Sequence, residues 1–308
     1  MNTIEAFEQE IKYQVTDLPK FIRELKTEKL NVDEQERCVL TGAGDSFVAA
    51  MITEYASNNK IRCTDPMNIC LNPRIVKDRI VYTISISGNT RANIEAAKVA
   101  SKISSKIVAI TANSKSKLAK ACDEVIELKF RSSGMITAGS IGFTASMLAC
   151  LSLIKNLQIS NVKELFSAAE NDAGSLHLVD HTCILGSWTT YPLAMYGCAK
   201  IYEVLGTKAH YAMLEQFCHM ELFSVKKNDS ILILSDDDKA SELATKLIDD
   251  GYNVYAFKPR HKNLEKNMLY YAMLLQLIVL QNAKRANLAE CYFITNDRLR
   301  GISSSLIY

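Results

Sequence analysis

The stretch Thr83-Ile84-Ser85-Ile86-Ser87-Gly88-Asn89-Thr90 decides the fold. From Arg79 to Ile86 the chain is apolar and β-branched, as a buried strand requires, and from Arg91 to Ala100 the apolar spacing becomes helical. Ser87 to Thr90 is therefore expected to form a strand-to-helix turn. At such a turn the first helical N–H groups have no intrahelical partner and carry the positive end of the helix dipole. Gly88 lets the backbone approach a ligand closely, and Ser85, Ser87 and Thr90 add three hydroxyls. Together these groups suit a phosphate monoester held mainly by neutral donors. An ordinary Ser/Thr-rich helix start without a ligand is the competing reading, and one such turn does not decide between them.

Working outward, 308 residues accommodate one large domain or two of ordinary size. Apolar residues at 48% and charged residues at 23% describe a soluble globular chain. The net charge of +2, with no basic run interleaved with aromatics, argues against nucleic acid as a partner. The most apolar stretch, Met268 to Leu280, is interrupted by Gln276 and falls short of the ~20 residues that span a bilayer, so no membrane is expected. The start, Met1-Asn2-Thr3-Ile4-Glu5, lacks an apolar signal core, which points to a cytoplasmic protein. The nine cysteines form no C-x-x-C pair, and Cys38, Cys150, Cys183 and Cys198 lie within apolar runs. Reduced core thiols are expected, with no metal.

Along the chain, apolar positions from Ile4 to Leu25, interrupted by Pro19, predict two helices as a preamble over residues 1–29. Cys38-Val39-Leu40 predicts a strand entering Gly42-Ala43-Gly44-Asp45-Ser46 and a helix to about Ser57. Arg62 to Thr64 predicts a strand, followed by a loop around Pro66 and Pro73; Ile107 to Ile110 and Val125 to Leu128 predict two more, and Met147 to Leu157 a long apolar helix. Strands alternating with helices imply right-handed βαβ units and a parallel sheet covered on both faces.

The second half repeats this outline. Cys183-Ile184-Leu185 answers Cys38 to Leu40, and Ser230 to Ser235 with Asn253 to Ala256 answers Val81 to Ser85 with Ile107 to Ile110. The expected organisation is α/β: two tandem similar domains over 30–157 and 173–285, joined by a helical segment near Val162 to Asn171, with a C-terminal segment over 286–308. Where the first copy has Ser87-Gly88-Asn89-Thr90, the second has Asp236-Asp237-Asp238-Lys239. Carboxylates there suit the helix dipole but repel a phosphate, so one phosphate site per chain is expected, in the first domain.

Ser85-Ile86-Ser87-Gly88-Asn89-Thr90, preceded by Gly42-Ala43-Gly44-Asp45-Ser46, resembles the phosphosugar-binding pattern of the SIS (sugar isomerase) family. The resemblance covers most of the chain and implies two tandem flavodoxin-like domains, as in bifunctional phosphoglucose/phosphomannose isomerases and the isomerase half of glucosamine-6-phosphate synthase. It implies phosphate contacts from Ser46, Ser85, Ser87 and Thr90, with Gly44 in the upstream turn. Tyr191 to Glu203 is similar to the helix bearing the family's catalytic Glu, which places that role on Glu203; Cys218-His219-Met220-Glu221 matches the family's His, at His219. In relatives that His reaches the neighbouring subunit's site, so a homodimer with shared active sites is implied.

Moving a proton between C1 and C2 of a sugar phosphate needs one base that takes and returns it, which suits a half-buried Glu203; a group titrating near neutrality, such as His219, suits ring opening. Lys200 would steady enediolate charge, and no cofactor is required. Each residue has a plainer reading. Lys200 and Glu203 at i, i+3 are also the spacing of a surface ion pair, His219 also suits a core or interface histidine, and His177 and His181 suit structural roles. Glu215 is a secondary acid/base candidate.

The chain departs from the pattern in two places. The family's enediolate Arg has no counterpart in Ser133 to Phe143, with Arg131 several positions early, and the family's C-terminal Lys is missing, leaving Arg298 or Arg300 as imperfect substitutes. The leading expectation is a metal-independent aldose-ketose isomerase of a hexose 6-phosphate, glucose 6-phosphate and fructose 6-phosphate first and mannose 6-phosphate also considered. The alternatives are a glucosamine-6-phosphate deaminase or phosphosugar deglycase, and a non-enzymatic sugar-phosphate-binding regulator. A dinucleotide site built on Gly42-x-Gly44 with Asp65 downstream is disfavoured, because Phe47 holds the third glycine position.

Overall fold

The structure is a computed structural model describing residues 1–179, 181–235 and 237–308. In chain order the helices are α1 (Thr3–Glu24), α2 (Val32–Glu36), α3 (Asp45–Ala56), α4 (Pro66–Leu71), α5 (Arg91–Ala100), α6 (Ile141–Ser152), α7 (Val162–Gly174), α8 (Thr190–Lys200), α9 (Leu214–His219), α10 (Asp238–Asp249), α11 (Leu264–Arg285), α12 (Tyr292–Thr295) and α13 (Asp297–Ile307). The strands are β1 (Cys38–Gly42), β2 (Arg62–Thr64), β3 (Ile80–Ile84), β4 (Lys106–Thr111), β5 (Glu124–Glu127), β6 (His181–Gly186), β7 (Lys208–Met213), β8 (Ser230–Leu234) and β9 (Asn253–Ala256). They form two parallel sheets flanked by helices, of order β2-β1-β3-β4-β5 and β7-β6-β8-β9.

The chain divides into two compact units that interleave along the sequence. One comprises Thr16–Ser132, Gly139–Ile159 and Asp297–Tyr308 and holds the five-stranded sheet; the other comprises Met1–Val15, Ser133–Ala138 and Ser160–Asn296 and holds the four-stranded sheet.

In the five-stranded unit the central strands are buried along nearly their whole length, as a sheet covered on both faces demands. Val39, Val81 and Ile107 pack with Ile69 and Val76 beneath Ala96 and Ala100 of α5. The sheet order reverses direction between β1 and β3, and ligands bind at such switch points, outside the carboxyl ends of the strands. Gly42, the last residue of β1, pairs in register with Ile84, the last of β3, so the turns following both strands open on one edge of this unit.

In the four-stranded unit, Cys183, Leu185, Ile231 and Ile233 pack with Phe217 of α9 and with Ala240, Ala244 and Leu247 of α10. Helix α11 packs against α7 and α8 and is buried almost all round from Met268 to Leu280. Among the described residues, no helix is long and apolar enough to cross a membrane.

Several expectations change. The preamble is one helix, α1, running through Pro19 rather than two broken by it. Ile4, Phe7, Ile11 and Leu18 before that proline and Phe21 after it are all buried, and burying this stripe outweighs one lost hydrogen bond. The expected loop around Pro66 and Pro73 is helix α4 followed by a 3₁₀ turn, Pro73–Val76, each with proline at its start, where the missing N–H costs nothing. The apolar helix expected from Met147 begins earlier, at Ile141, and ends at Ser152. His181 is the first residue of β6.

Candidate functional site

The turn after β3 is built from within. Gly88 adopts φ +63°, and its N–H donates to the Ser85 carbonyl at 3.1 Å and lies 3.2 Å from Ser85 Oγ. Asn89 N–H donates to Ser87 Oγ at 3.2 Å. The Ser85 and Thr90 hydroxyls lie 3.2 Å apart. The segment after β4 backs the turn: Thr111 Oγ1 donates to the Ile86 carbonyl at 3.1 Å, and Leu118 N–H to the Gly88 carbonyl at 3.0 Å. A Cβ on Gly88 would lie 2.0 Å from Ser116 Oγ, so the close approach is one only glycine permits.

Thr90, the N-cap of α5, makes no side-chain capping bond, which leaves the helix end open. Ser85 is buried, Thr90 half-buried and Ser87 exposed, a gradient from floor to rim. On the adjoining turn, Gly44 caps α3 with φ +58° and nothing within 4 Å of where its Cβ would stand; Ser46, in the first turn of α3, is buried. The structure thus brings Gly44, Ser46, Ser85, Ser87 and Thr90 to one sheet edge of one unit, where two helix starts meet.

Two residues of this site escaped the sequence reading. Asn93 is buried, and its Nδ2 donates to the Ile84 carbonyl at 2.6 Å, tying the first turn of α5 to the end of β3. Its only sequence signal is an amide on the apolar face of a helix. Arg91, the first residue of α5, is exposed and sets a guanidinium at the rim; its Nη2 reaches the Ser305 carbonyl of α13 at 3.4 Å.

The turn after β8 is closed by its own side chains. Asp237 Oδ1 accepts from Ala240 N–H at 2.7 Å and Oδ2 accepts from Ser235 Oγ at 2.7 Å, so this helix start carries its own carboxylate. Asp236 lies outside the described residues.

In the four-stranded unit α8 runs into a π-helical turn, Ile201–Leu205, which carries Glu203. Such turns cluster at functional sites. Gly206 ends it in the left-handed conformation, at φ +70°, against the ring of Tyr292. Lys200 Nζ lies 2.5 Å from Glu203 Oε2; the lysine side chain is fully buried, while the carboxylate is 36% exposed. The pair is therefore not the surface ion pair its spacing also allowed. Lys200 Nζ sits 5.1 Å from the ring centroid of Tyr196, whose hydroxyl accepts from Gln276 at 2.9 Å; Gln276 in turn accepts from Gln14 at 2.6 Å. A buried polar chain thus holds the lysine that holds Glu203.

His219 ends α9, is exposed, and bonds Glu215 Oε1 at 3.1 Å. Glu215 also pairs with Lys239, and the hydrogen bonds from Lys239 first and His219 second hold its carboxyl below the usual range. Farther along the same sheet, His181 Nδ1 lies 3.0 Å from Asp229 and its Nε2 lies 3.1 Å from His210 Nδ1. Burial, then the neighbouring His181, pushes the His210 imidazole down, against the pull of Glu221 and Asp229.

Two of the cations named as substitutes, Arg131 and Arg300, have other partners. Arg131 pairs with Asp17 at 2.6 Å, and Arg300 with Asp297 of its own helix at 2.9 Å. Asp65 caps α4 through Met67 N–H at 2.8 Å, so the carboxylate that a dinucleotide site would direct at a ribose serves a helix start instead.

Comparison with known proteins follows the same lines. Over 250 residues the chain is 23% identical to the glutamine–fructose-6-phosphate aminotransferase (isomerizing) of Sulfurisphaera tokodaii, covering 75% of this chain but 42% of that protein, so the chain spans less than half the relative's length. Its fold matches glucosamine-6-phosphate deaminase from Thermotoga maritima with a TM-score of 0.75 at 19% identity, over 92% of this chain and 96% of that one. It matches tagatose-6-phosphate ketose/aldose isomerase from Escherichia coli with a TM-score of 0.69 at 17% identity, over 93% and 91%. These likenesses establish the fold. Residues 71–159 match the model of the SIS domain, and the hydroxyl-lined turn lies inside them.

Proposed function

We propose that the protein is a phosphosugar isomerase, interconverting the aldose and ketose forms of a hexose 6-phosphate, glucose 6-phosphate and fructose 6-phosphate first. The observation that carries this reading is the open, hydroxyl-lined start of α5 at the switch point between β1 and β3, on a turn whose Gly88 packs so tightly against Ser116 that a Cβ would collide with it. Ser46, Ser85, Ser87 and Thr90 are assigned to the phosphate, with main-chain N–H groups supplying the rest of its neutralisation.

Glu203 is assigned the proton transfer: it takes the proton from C2 of the open-chain aldose to give the enediolate and returns it to C1 of the ketose. Lys200 supports this assignment, because its buried side chain lies 2.5 Å from the carboxylate and fixes its position. His219 is assigned ring opening and acts on the site of a second chain in a homodimer. The reaction needs no redox cofactor. On this reading the four-stranded sheet is a second copy of the same fold whose carboxylate-capped α10 takes no phosphate.

A second reading, loss of nitrogen from a 6-phospho-aminosugar, is favoured by the likeness to glucosamine-6-phosphate deaminase, and it begins with the same proton transfer. Glu203→Gln tests the assignment: turnover should fall by three orders of magnitude or more while fructose 6-phosphate still binds, and near-normal turnover would end it. Ammonia release from glucosamine 6-phosphate by the parent protein would select the second reading.

A further inference from the structure

A cavity of about 680 Å³ opens at the carboxyl end of the edge strand β9, wholly within the four-stranded unit and lined by the end of α7, the residues after β9 and Tyr270 of α11. Its floor is fixed. Arg260 Nη2 pairs with both carboxylate oxygens of Asp172, the Tyr270 hydroxyl donates to the same carboxylate, and the guanidinium lies 5.5 Å over the Tyr270 ring. The loop that forms the wall is pinned by Asn267, a buried amide that accepts from the N–H groups of Arg260 and His261 at 3.1 and 2.9 Å and donates to the His261 carbonyl at 2.6 Å.

That loop reads Phe257-Lys258-Pro259-Arg260-His261-Lys262, and its first four residues line the cavity. Asp172 balances Arg260, so the exposed Lys258 leaves the lining net positive among the described residues. Half-buried Tyr255 and Phe257 add aromatic surface beside it.

We infer that this cavity binds a nucleoside diphosphate, apart from the phosphosugar site. The volume falls in the range of small-molecule sites, roughly 300–1,000 Å³, and suits a ligand of that size. An aromatic wall stacks a base at any of its faces, Lys258 offsets part of the charge of a diphosphate, and the fixed Asp172–Arg260–Tyr270 floor keeps the ordering cost of binding low. The inference stands without the proposed function, since none of these residues is assigned to the phosphosugar.

The test is calorimetric titration of the full chain with ADP, GDP, UDP and CDP, with the nucleosides and inorganic pyrophosphate as controls. At least one diphosphate should bind at micromolar concentration, tenfold or more tighter than its nucleoside or pyrophosphate. Lys258→Glu and Tyr255→Ala should each weaken it tenfold or more with the circular dichroism spectrum unchanged, and Ser87→Ala should leave it intact. No binding by any of the four up to millimolar concentration, equal binding of pyrophosphate, binding of an oligonucleotide alone, or loss in Ser87→Ala with retention in Lys258→Glu would each overturn the inference.

Discussion

Lys200 and Glu203 form a lopsided pair: the ammonium is sealed from solvent, while the carboxylate 2.5 Å away retains 36% of its exposure. Removing either partner therefore has unequal consequences. Glu203→Gln leaves a buried cation facing a neutral amide and should cost on the order of 2–3 kcal/mol; Lys200→Met leaves a carboxylate that water reaches and should cost about 1 kcal/mol or less. Urea unfolding of both variants beside the parent measures the difference, and equal losses would contradict it.

Gly88→Ala should destabilise by about 2–3 kcal/mol, combining a left-handed backbone with a Cβ placed against Ser116. Adding Ser116→Gly should recover the steric part but not the backbone part. The midpoints of denaturation for the single and double variants separate the two; full recovery in the double variant would show that the backbone conformation costs nothing.

Asn93→Ala removes the amide that ties the start of α5 to the Ile84 carbonyl, leaving a buried acceptor without its donor. A stability loss of about 1–3 kcal/mol is expected. Hexose 6-phosphate affinity should weaken as well, by tenfold or so, because the helix start proposed to hold the anion is no longer pinned. Titration calorimetry checks this, and unchanged affinity would show that the turn is held by its own bonds alone.

The His210 imidazole resists protonation in the folded state, chiefly through burial and then through His181, so the unfolded chain binds that proton more readily. Stability is therefore complete above the ordinary imidazole value, about 6.5, and falls as pH drops below it toward the lowered folded value. Unfolding measured at pH 7.0 and 5.5 should show a smaller drop in His210→Gln than in the parent. An equal drop would place the acid sensitivity elsewhere.

Much of this was legible in the sequence where one force dominates. Central strands such as Ile80–Ile84 and Ser230–Leu234 are apolar runs bounded by turn residues, and they fall within a residue or two of the expected bounds. The strand β7 was not legible: Lys208-Ala-His-Tyr-Ala-Met is an edge strand with a mostly half-buried face and no β-branched residue. The candidate site divides similarly. Ser85, Ser87 and Thr90 are close in sequence, and a local turn gathers them. The burial of Lys200 depends on Tyr196, Gln276 and Gln14, and residues 14 and 276 are joined only by tertiary packing, which spacing does not reveal.

The central claim is that a hexose 6-phosphate loses and regains a proton at C1 and C2 by way of Glu203. Proton NMR of glucose 6-phosphate, mannose 6-phosphate, fructose 6-phosphate and glucosamine 6-phosphate in deuterated water, with the parent protein and Glu203→Gln, tests it most directly. The account predicts deuterium entering at C1 or C2 of a hexose 6-phosphate with the parent protein, and exchange slowed by at least three orders of magnitude in the variant. Absence of exchange with every sugar, or equal exchange in the two proteins, would contradict it.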